Sequence, residues 1–294
     1  MYPRAEKEDM TYKVPTVLTI AGSDCSGGAG IQADLKTIAA HKLYGMSVIC
    51  ALTAQNTMKV ASIQDASAEI VAQQMDCVFS DIYPDAVKIG MVSNSEIIET
   101  IAYKLAFHGP RNIVLDPVMI SSTGSRLITE EAQQVLIDRL LPMADIVTPN
   151  IPEAEVFSGM AIRNRDDMVK AASIIAARIS QVKREGGSYW GHVTILLKGG
   201  HLDDEASDLI YSYVDEEGVG KTVETTWVSM ERIDNPNTHG TGCTLSSAIA
   251  CNLALGAEEV DAIRKAKEYL TGAIGAGLDL GHGSGPLDHM YQYR

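Results

Sequence analysis

The stretch 234–244, DNPNTHGTGCT, combines glycines with a thiol and leads directly into the apolar segment LSSAIACNLALG. A helix that begins at such glycines exposes backbone N–H groups without intrahelical acceptors, and the helix dipole adds partial positive charge. Gly240, Thr241 and Gly242 are therefore predicted to form an anion hole suited to a phosphoryl group in transfer. The same helix end should lower the pKa of Cys243, which makes Cys243 a candidate base or nucleophile.

A second glycine-rich stretch, AGSDCSGGAG at 21–30, joins a strand-like segment to a helix-like one. Its glycines, Gly22 among them, would let the backbone pass close to a ligand. Asp34, one turn into the helix, could face the same crevice. A tight structural turn and a solvated helix carboxylate explain these residues equally well, so both interpretations stay open.

Three polar clusters follow predicted strands: DPVM at 116–119, TPNIPE at 148–153 and KGGH at 198–201. Open α/β sheets bind ligands beyond the carboxyl ends of their strands, so the three clusters are expected on one rim. Asp116 and Glu153 can hold Mg²⁺ through oxygen or water, and Lys198 can contact a phosphate. Each cluster could also be only a turn.

Two nucleotide-binding motifs are excluded. Gly220, Lys221 and Thr222 resemble the end of a Walker A motif, which would need Gly at position 215 and a following helix. Position 215 is Asp, and the β-like segment VETTWVSM follows. A Rossmann GxGxxG fingerprint is missing after every strand candidate, which argues against a dinucleotide site.

Short apolar, β-rich runs alternate with amphipathic stretches along the chain, which predicts a mostly parallel sheet with helices on both faces. The predicted strands are 17–21, 47–52, 86–89, 112–115, 146–148 and 193–197. The predicted helices between them are 31–41, 67–79, 95–107, 130–139, 152–157 and 166–179.

The C-terminal third departs from this alternation. Segments 208–214 and 223–230 flank a turn-like DEEGVGK and predict an antiparallel hairpin at a sheet edge. Two helices, 242–255 and 258–278, close the chain. With no internal repeat and no long linker, we expect a flexible arm over 1–13 and a single domain over 14–294, with 183–190 as a surface insertion.

Composition excludes several classes of protein. The formal net charge is −14 and no Lys/Arg run is present, which argues against a nucleic-acid or anionic-membrane binder. The five cysteines are odd in number and form no CxxC pair, which indicates a reducing compartment. The N-terminal residues lack an apolar signal stretch, and 18 consecutive apolar residues occur nowhere. We therefore expect a soluble, cytoplasmic protein.

Taken together, the motifs resemble the ribokinase-like superfamily and, within it, the hydroxymethylpyrimidine/phosphomethylpyrimidine kinases of thiamin biosynthesis. The resemblance covers nearly the whole chain after the arm. It rests on the segments AGSDCSGGAGIQADLKT, SVICALTAQNT, VKIGM, LDPVM, TPNIPEAE, LLKGGH and HGTGCTLSSAIA. Cys243 stands where superfamily sugar kinases carry an Asp base, as is usual in the pyrimidine kinases.

The resemblance implies a set of site roles. Asp34 and Gln55 would hydrogen-bond the aminopyrimidine beside Gly22, while Met91 and Val118 pack against its ring. Cys243 would lie next to the hydroxymethyl group, and the N–H groups of the anion hole would hold the phosphoryl. The remaining implied roles belong to the nucleotide and its metal: Asp116 and Glu153 for Mg²⁺, and Asn150 and Lys198 for the ATP phosphates.

The implied reaction is ATP-dependent phosphorylation of 4-amino-5-hydroxymethyl-2-methylpyrimidine and then of its monophosphate, with ATP and Mg²⁺ as cofactors. We expect a small-molecule substrate and a homo-oligomer, a dimer. Two alternatives stay open: a pyridoxal kinase of the same superfamily, and a non-catalytic ligand-binding protein on the same fold. Two features depart from the family pattern, namely Cys25, where Pro is common, and the insertion at 183–190.

Overall fold

The computed structural model describes residues 13–119, 127–186, 191–200, 206–216, 220–230 and 233–294. Within them, nine strands form one sheet in the order β3-β2-β1-β4-β5-β6-β7-β8-β9. The strands are β1 (Thr16–Asp24), β2 (Tyr44–Gln55), β3 (Val60–Asp65), β4 (Ala86–Ile89), β5 (Ile113–Leu115), β6 (Ile146–Val147), β7 (Val193–Leu197), β8 (Ala206–Glu216) and β9 (Gly220–Met230). The predicted mostly parallel sheet is confirmed.

Strands β2, β1, β4, β5, β6 and β7 pair in parallel, each with its neighbour in the sheet. The predicted hairpin is confirmed, because β8 pairs antiparallel with β7 and β9 with β8. The antiparallel strand β3 at the opposite edge was not predicted. Five of its six side chains are exposed, so its sequence VASIQD carries no apolar pattern of the kind that marks a buried strand.

The α-helices in the described residues cover both faces of the sheet. They are α1 (Gly30–Ala40), α2 (Ala68–Asp81), α3 (Ser95–His108), α4 (Glu130–Val135), α5 (Ile151–Ser158), α6 (Arg165–Glu185), α7 (Thr241–Ala254) and α8 (Glu259–Gly275). Helices α2 to α6 pack in one apolar cluster with Leu18 and Ile20 of β1. Helices α1, α7 and α8 pack in a second cluster with Val17. Successive residues of a strand point to opposite faces, so the two clusters lie on the two sides of the sheet.

Several helix ends follow from local sequence. The side chains of Ser67, Asn94, Asn150 and Asn164 accept hydrogen bonds from first-turn N–H groups of α2, α3, α5 and α6. Helix α4 continues as one turn of π-helix over Leu136–Leu140, so the predicted helix 130–139 changes its hydrogen-bond pattern halfway.

Some predictions fall partly or wholly outside the described residues. Arm residues 1–12, His201, positions 187–190 of the proposed insertion and positions 217–219 of the hairpin turn lie there. Residues 183–185 of the proposed insertion belong to the last turn of α6, which ends at Glu185. Among the described residues, no helix is both long enough and apolar enough to cross a membrane.

Candidate active site

A cavity of about 510 Å³ opens at the carboxyl ends of the parallel strands, beside the N-terminus of α7. The structure brings nearly every predicted site residue into its wall. Those residues are Gly22, Gln55, Met91, Asp116, Val118, Asn150, Glu153, Lys198, Gly240, Thr241, Gly242 and Cys243. Only Asp34, among the predicted site residues, is not part of the lining.

Asp34 is buried beneath the cavity, where it forms an ion pair with Lys88 of β4. Both side chains are 0% exposed, and the Lys88 Nζ lies 2.8 and 2.9 Å from the two carboxylate oxygens. The hydroxyls of Thr19 and Ser247 donate to the same carboxylate at 2.6 and 2.8 Å. The prediction that Asp34 contacts the pyrimidine is therefore wrong. The cause is that Asp34 shares the buried face of α1 with Ile38 and points towards the sheet.

The anion hole begins where the chain enters α7. Gly240 precedes the helix with φ = 85°, in the left-handed region that glycine adopts without strain. A Cβ at this position would also clash with the carbonyl oxygen of Gly28 in the first loop. A Cβ on Gly242 would lie 3.0 Å from an oxygen of Asp116. These glycines let two loops and a carboxylate approach the helix end, where first-turn N–H groups can bind an anion.

Cys243 is the third residue of α7 and is half-buried. Burial raises the pKa of its thiol, while the charge of Lys88 lowers it and those of Asp34 and Asp116 raise it. The resulting pKa is about 11. The pKa is therefore raised where the sequence predicted a lowered value, because desolvation of the thiolate outweighs the favourable charge of Lys88. At neutral pH Cys243 is a thiol.

The first loop is organised by Asp24, which the sequence analysis did not single out. Its carboxylate accepts hydrogen bonds from the backbone N–H groups of Ser26, Gly28 and Ala29 at 2.9, 3.1 and 2.9 Å. It also lies 2.9 Å from Nε2 of His239. Burial would raise the pKa of this carboxyl, but the hydrogen bonds from His239 and Ser26 bring it to about 2. Asp24 therefore holds the loop in shape as a carboxylate.

Carboxylates and an ammonium group meet on the opposite side of the cavity. Lys198 Nζ lies 3.2 Å from Asp116 Oδ1, which also accepts a hydrogen bond from the Thr148 hydroxyl at 3.1 Å. Glu153 and Asn150 form a reciprocal capping box at the start of α5, with both hydrogen bonds at 2.9 Å. Burial raises the pKa of Glu153 to about 7, although Lys198 lowers it. Glu153 is therefore partly protonated near neutral pH.

Asp116 and Glu153 suit a metal ion that is bound mainly by the phosphates of a nucleotide and only partly by the protein. Within the described ranges, no group of three or more His, Cys, Asp or Glu side chains could hold a metal ion. Asp116 and Glu153 nevertheless both line the cavity. Mg²⁺ keeps most of its waters and binds through one or two carboxylates plus substrate phosphates, so this pair suits Mg²⁺ that enters with a nucleotide.

Gly22, Gln55, Met91 and Val118 line a partly apolar region of the same cavity. The backbone N–H of Gly22 donates to the Met91 carbonyl at 3.1 Å, and a Cβ on Gly22 would lie 2.6 Å from the Met91 methyl carbon. Gln55 ends β2 and reaches His239, with Gln55 Nε2 3.2 Å from His239 Nε2. This region combines thioether, aliphatic and amide groups, which suits a small planar heterocycle.

Other cavity residues were missed by the sequence analysis. His239 stands directly before the GTG of the anion hole, and this position was a usable sequence signal. Asp208 and Lys267 form a buried ion pair in the cavity wall, and Asp208 accepts a hydrogen bond from the Gly199 N–H at 2.9 Å. These two residues are 59 positions apart in the chain, so no local pattern connects them. Met230, Leu270 and Ile274 add an apolar wall.

The family model and the curated relatives point to one family. The phosphomethylpyrimidine kinase family model matches residues 24–288. A hydroxymethylpyrimidine/phosphomethylpyrimidine kinase of Rhizobium meliloti is 46% identical over 279 residues, covering 94% of this chain and 97% of the relative.

Solved structures extend the comparison to the fold. A phosphomethylpyrimidine kinase from Clostridium difficile 630 matches with a TM-score of 0.68 at 45% identity, over 88% of this chain and 99% of that one. A pyridoxal kinase of Bacillus subtilis, solved as an ADP complex, matches with a TM-score of 0.80 at 35% identity, over 96% of this chain and 99% of that one. The ribokinase-like fold is thus confirmed, and this chain belongs to the phosphomethylpyrimidine kinase family of phosphotransferases.

Proposed function

We propose that this protein transfers the γ-phosphoryl group of ATP to the hydroxymethyl group of 4-amino-5-hydroxymethyl-2-methylpyrimidine, and then phosphorylates the resulting monophosphate, in thiamin biosynthesis. One observation carries the proposal. The glycine-built N-terminus of α7 lines the same cavity as Gly22, Gln55 and Met91, which suit a small heterocycle, and as the carboxylate–lysine cluster. An anion hole between two such sites is the arrangement that in-line phosphoryl transfer requires.

The nucleotide occupies the end of the cavity formed by Lys198, Asn150 and the apolar side chains of α8. Lys198 exchanges part of its contact with Asp116 for a contact with the ATP phosphates. Asp116 and Glu153 would hold Mg²⁺ directly or through water, and the ion would supply positive charge against the phosphates. The N–H groups around Gly242 hold the phosphoryl group as it transfers.

The acceptor lies against Gly22, Gln55, Met91 and Val118, with its hydroxymethyl group at Cys243. The loose transition state of phosphoryl transfer needs little covalent help, so positioning supplies most of the rate. A Cys243 thiol with a pKa near 11 contacts the acceptor oxygen and becomes a base only to the small extent that it ionises. The second acceptor is already an anionic phosphate, so that step depends on Cys243 less than the first.

Pyridoxal is a second candidate substrate, because a pyridoxal kinase shares the fold over nearly the whole chain. A coupled ADP-release assay with the pyrimidine, its monophosphate and pyridoxal in parallel separates the possibilities. We expect turnover of both pyrimidines, with pyridoxal the poorer substrate. A preference for pyridoxal would contradict the proposed substrate, and no ADP release above background with any of the three would favour a binding protein.

We also propose a homodimer and a cytoplasmic location. The edge strand β3 leaves backbone groups available for pairing, and Leu52, Met58 and Ile63 near it are 55, 62 and 39% exposed. The cysteines in the described residues are all free thiols, which suits a reducing compartment. Sedimentation analysis should show a dimer that Ile63→Lys dissociates.

A further inference from the structure

His239 lies where three segments of the chain meet around the substrate end of the cavity. Its side chain is 3% exposed, and Nε2 lies 2.9 Å from Asp24 Oδ2 and 3.2 Å from the Gln55 amide. Its backbone N–H donates to the Gly285 carbonyl of the C-terminal segment at 3.1 Å. A Cβ on Gly28 would clash with the imidazole ring. The ring is therefore held in one place by the first loop, the end of β2 and the C-terminal segment.

The partners of Asp24 show where the proton of His239 lies. Asp24 is a carboxylate, and an ionised carboxylate only accepts hydrogen bonds. Its Oδ2 atom accepts from the N–H groups of Gly28 and Ala29 and faces His239 Nε2 at 2.9 Å. His239 Nε2 must therefore carry a proton, and this one N–H is shared between Asp24 Oδ2 at 2.9 Å and the Gln55 amide at 3.2 Å.

The available hydrogen-bond donors and acceptors also determine the orientation of the Gln55 amide. The Thr53 hydroxyl donates its single proton to the Ser23 carbonyl at 2.8 Å, so towards Gln55, 3.2 Å away, it can only accept. The two ends of a carboxamide are nearly isosteric, so its partners decide which end is which. As placed, the amide nitrogen faces His239 and the amide oxygen faces Thr53, which sets two donors together at His239 and two acceptors together at Thr53. The two ends must therefore be exchanged, so that the NH₂ group faces Thr53 and the carbonyl oxygen faces His239.

The backbone of Gln55 is held as well. The Cys25 thiol donates to the Gln55 carbonyl at 3.1 Å, and the Gln55 N–H donates to the Cys25 sulfur at 3.3 Å. Cys25, which departs from the Pro common in the family, thus forms a two-point contact that a proline could not make. Both the backbone and the side chain of Gln55 are fixed before a ligand enters.

We propose that His239 is a positioning residue that sets the orientation of the Gln55 carboxamide and thereby the preference for an aminopyrimidine. This inference rests on the function proposed above. An aminopyrimidine presents an amino donor beside a ring-nitrogen acceptor, and a carboxamide pairs with such an edge through both its atoms, as glutamine does with adenine. Pyridoxal has no amino donor beside a ring-nitrogen acceptor. An amide of fixed orientation therefore favours the pyrimidine, and a freely rotating amide favours it less.

The test compares two substitutions of His239. His239→Leu removes the donor, whereas His239→Gln places an amide N–H close to the position of Nε2. We expect His239→Leu to lower the ratio of kcat/KM for the pyrimidine to kcat/KM for pyridoxal by about 10- to 100-fold, the loss expected for one buried hydrogen-bonded partner. The change should lie in the pyrimidine KM, with the KM for ATP nearly unchanged. His239→Gln should retain most of the wild-type ratio.

A second buried histidine provides the matched control. His289 is also 3% exposed, and its Nε2 lies 3.0 Å from the Thr244 hydroxyl, away from the described cavity lining. His289→Leu should cost stability without changing the substrate ratio. A ratio unchanged in His239→Leu, or equally reduced in His239→Gln and His239→Leu, would overturn the role of His239 and leave the proposed function intact. Absence of pyrimidine turnover by the wild-type protein would remove both.

A spectroscopic measurement serves if the variants fold poorly. In wild-type protein labelled with ¹⁵N-histidine, the Nε2 atom of His239 should be protonated at neutral pH, with and without the pyrimidine. An unprotonated Nε2 in the free protein would overturn the proposed orientation of Gln55, because the imidazole would then accept a hydrogen bond from the amide.

Discussion

Two of the carboxylate–lysine pairs near the cavity, Asp34–Lys88 and Asp116–Lys198, have the same chemistry and different surroundings. Asp34 and Lys88 are both 0% exposed, and the Asp34 carboxylate accepts further hydrogen bonds from two hydroxyls. Asp116 and Lys198 are 3% and 21% exposed and both line the cavity. The buried pair has its hydrogen-bonding capacity used within the protein, whereas the cavity pair can exchange partners with a ligand. Residue type alone therefore does not separate a structural ion pair from a binding one.

The pairs also act on different neighbours. Lys88 lowers the pKa of Cys243, and Lys198 lowers that of Glu153, yet burial leaves both groups above their ordinary values. The buried pair supports the anion hole from below, because Ser247, on α7, contacts Asp34, on α1. The cavity pair controls the charge available to the nucleotide. The two pairs should therefore fail in different ways when they are broken.

The largest expected effect is a loss of stability when the buried pair Asp34–Lys88 is broken. Asp34→Ala leaves the Lys88 ammonium buried without a counter-charge, which should lower the free energy of unfolding by about 3–5 kcal/mol. Chemical denaturation measures this loss. The remaining folded protein should keep a pyrimidine KM close to that of the wild type, because Asp34 does not reach the cavity.

A double substitution sharpens this prediction. In Asp34→Leu with Lys88→Met, both charges are removed together, and well-packed apolar side chains often replace a buried ion pair at little cost. The double variant should therefore be more stable than Asp34→Ala. A stable Asp34→Ala protein with a strongly raised pyrimidine KM would show instead that Asp34 binds substrate, and would contradict its structural role.

The next effect is expected at the cavity pair. Lys198→Ala removes a cation from the phosphate end and should lower kcat/KM for ATP by about 10²- to 10³-fold, the usual cost of one transition-state donor. Its loss of stability should be smaller than that of Asp34→Ala, because the Lys198 side chain keeps contact with solvent. Steady-state kinetics and denaturation on the same samples check both statements. A large loss of stability with little loss of activity would make Lys198 a structural residue like Lys88.

Cys243 tests the influence of the buried pair on the reaction. With a pKa near 11, on the order of 10⁻⁴ of the thiol is ionised at neutral pH. Cys243→Ala should therefore lower kcat for the hydroxymethyl substrate by less than about 10²-fold, the lower end of the range for general-base catalysis. The kcat of the same variant for the monophosphate substrate should fall by a smaller factor. The alkylation rate of Cys243 should rise about tenfold per pH unit up to at least pH 10. A plateau near pH 8 would show a lowered pKa.

The sheet was largely predictable because apolar runs are a strong signal. The bounds of β4 and β7 match the prediction at both ends. The edge strand β3 was not predictable in this way, because its exposed side chains carry no such signal. Helix α6 continues past its last predicted turn into the polar residues up to Glu185, where exposed positions again give little periodicity.

The site was predictable where function depends on backbone and on strand ends, and less so where it depends on burial. Glycines before α7 and polar residues after β5, β6 and β7 all reach one cavity, as expected from parallel topology. Asp34 was misplaced because a helix pattern does not say which polar residue has a buried partner. Lys88 within the apolar strand AVKI was the available signal, since a buried lysine requires a carboxylate. The pKa of Cys243 depends on desolvation, which no motif shows.

The smallest expected effect is a pH dependence that originates at Glu153. Its pKa of about 7 in the folded protein lies above the ordinary value of 4.5. The stabilisation from the protonated form is therefore fully present below about pH 4.5 and is lost as pH rises through 7. The affinity for nucleotide should instead increase as pH rises, because the carboxylate that forms above pH 7 is the species that supports Mg²⁺.

Between pH 6 and 8 the affinity for Mg·ATP should rise by at most about tenfold in the wild type, in proportion to ionised Glu153. Glu153→Gln keeps the size of the side chain and cannot ionise, so its binding curve, measured by calorimetry, should keep only the pH dependence of ATP itself. Identical pH dependence in both proteins would mean that Glu153 acts only as the cap of α5, and the cavity pair would then control the nucleotide site through Asp116 alone.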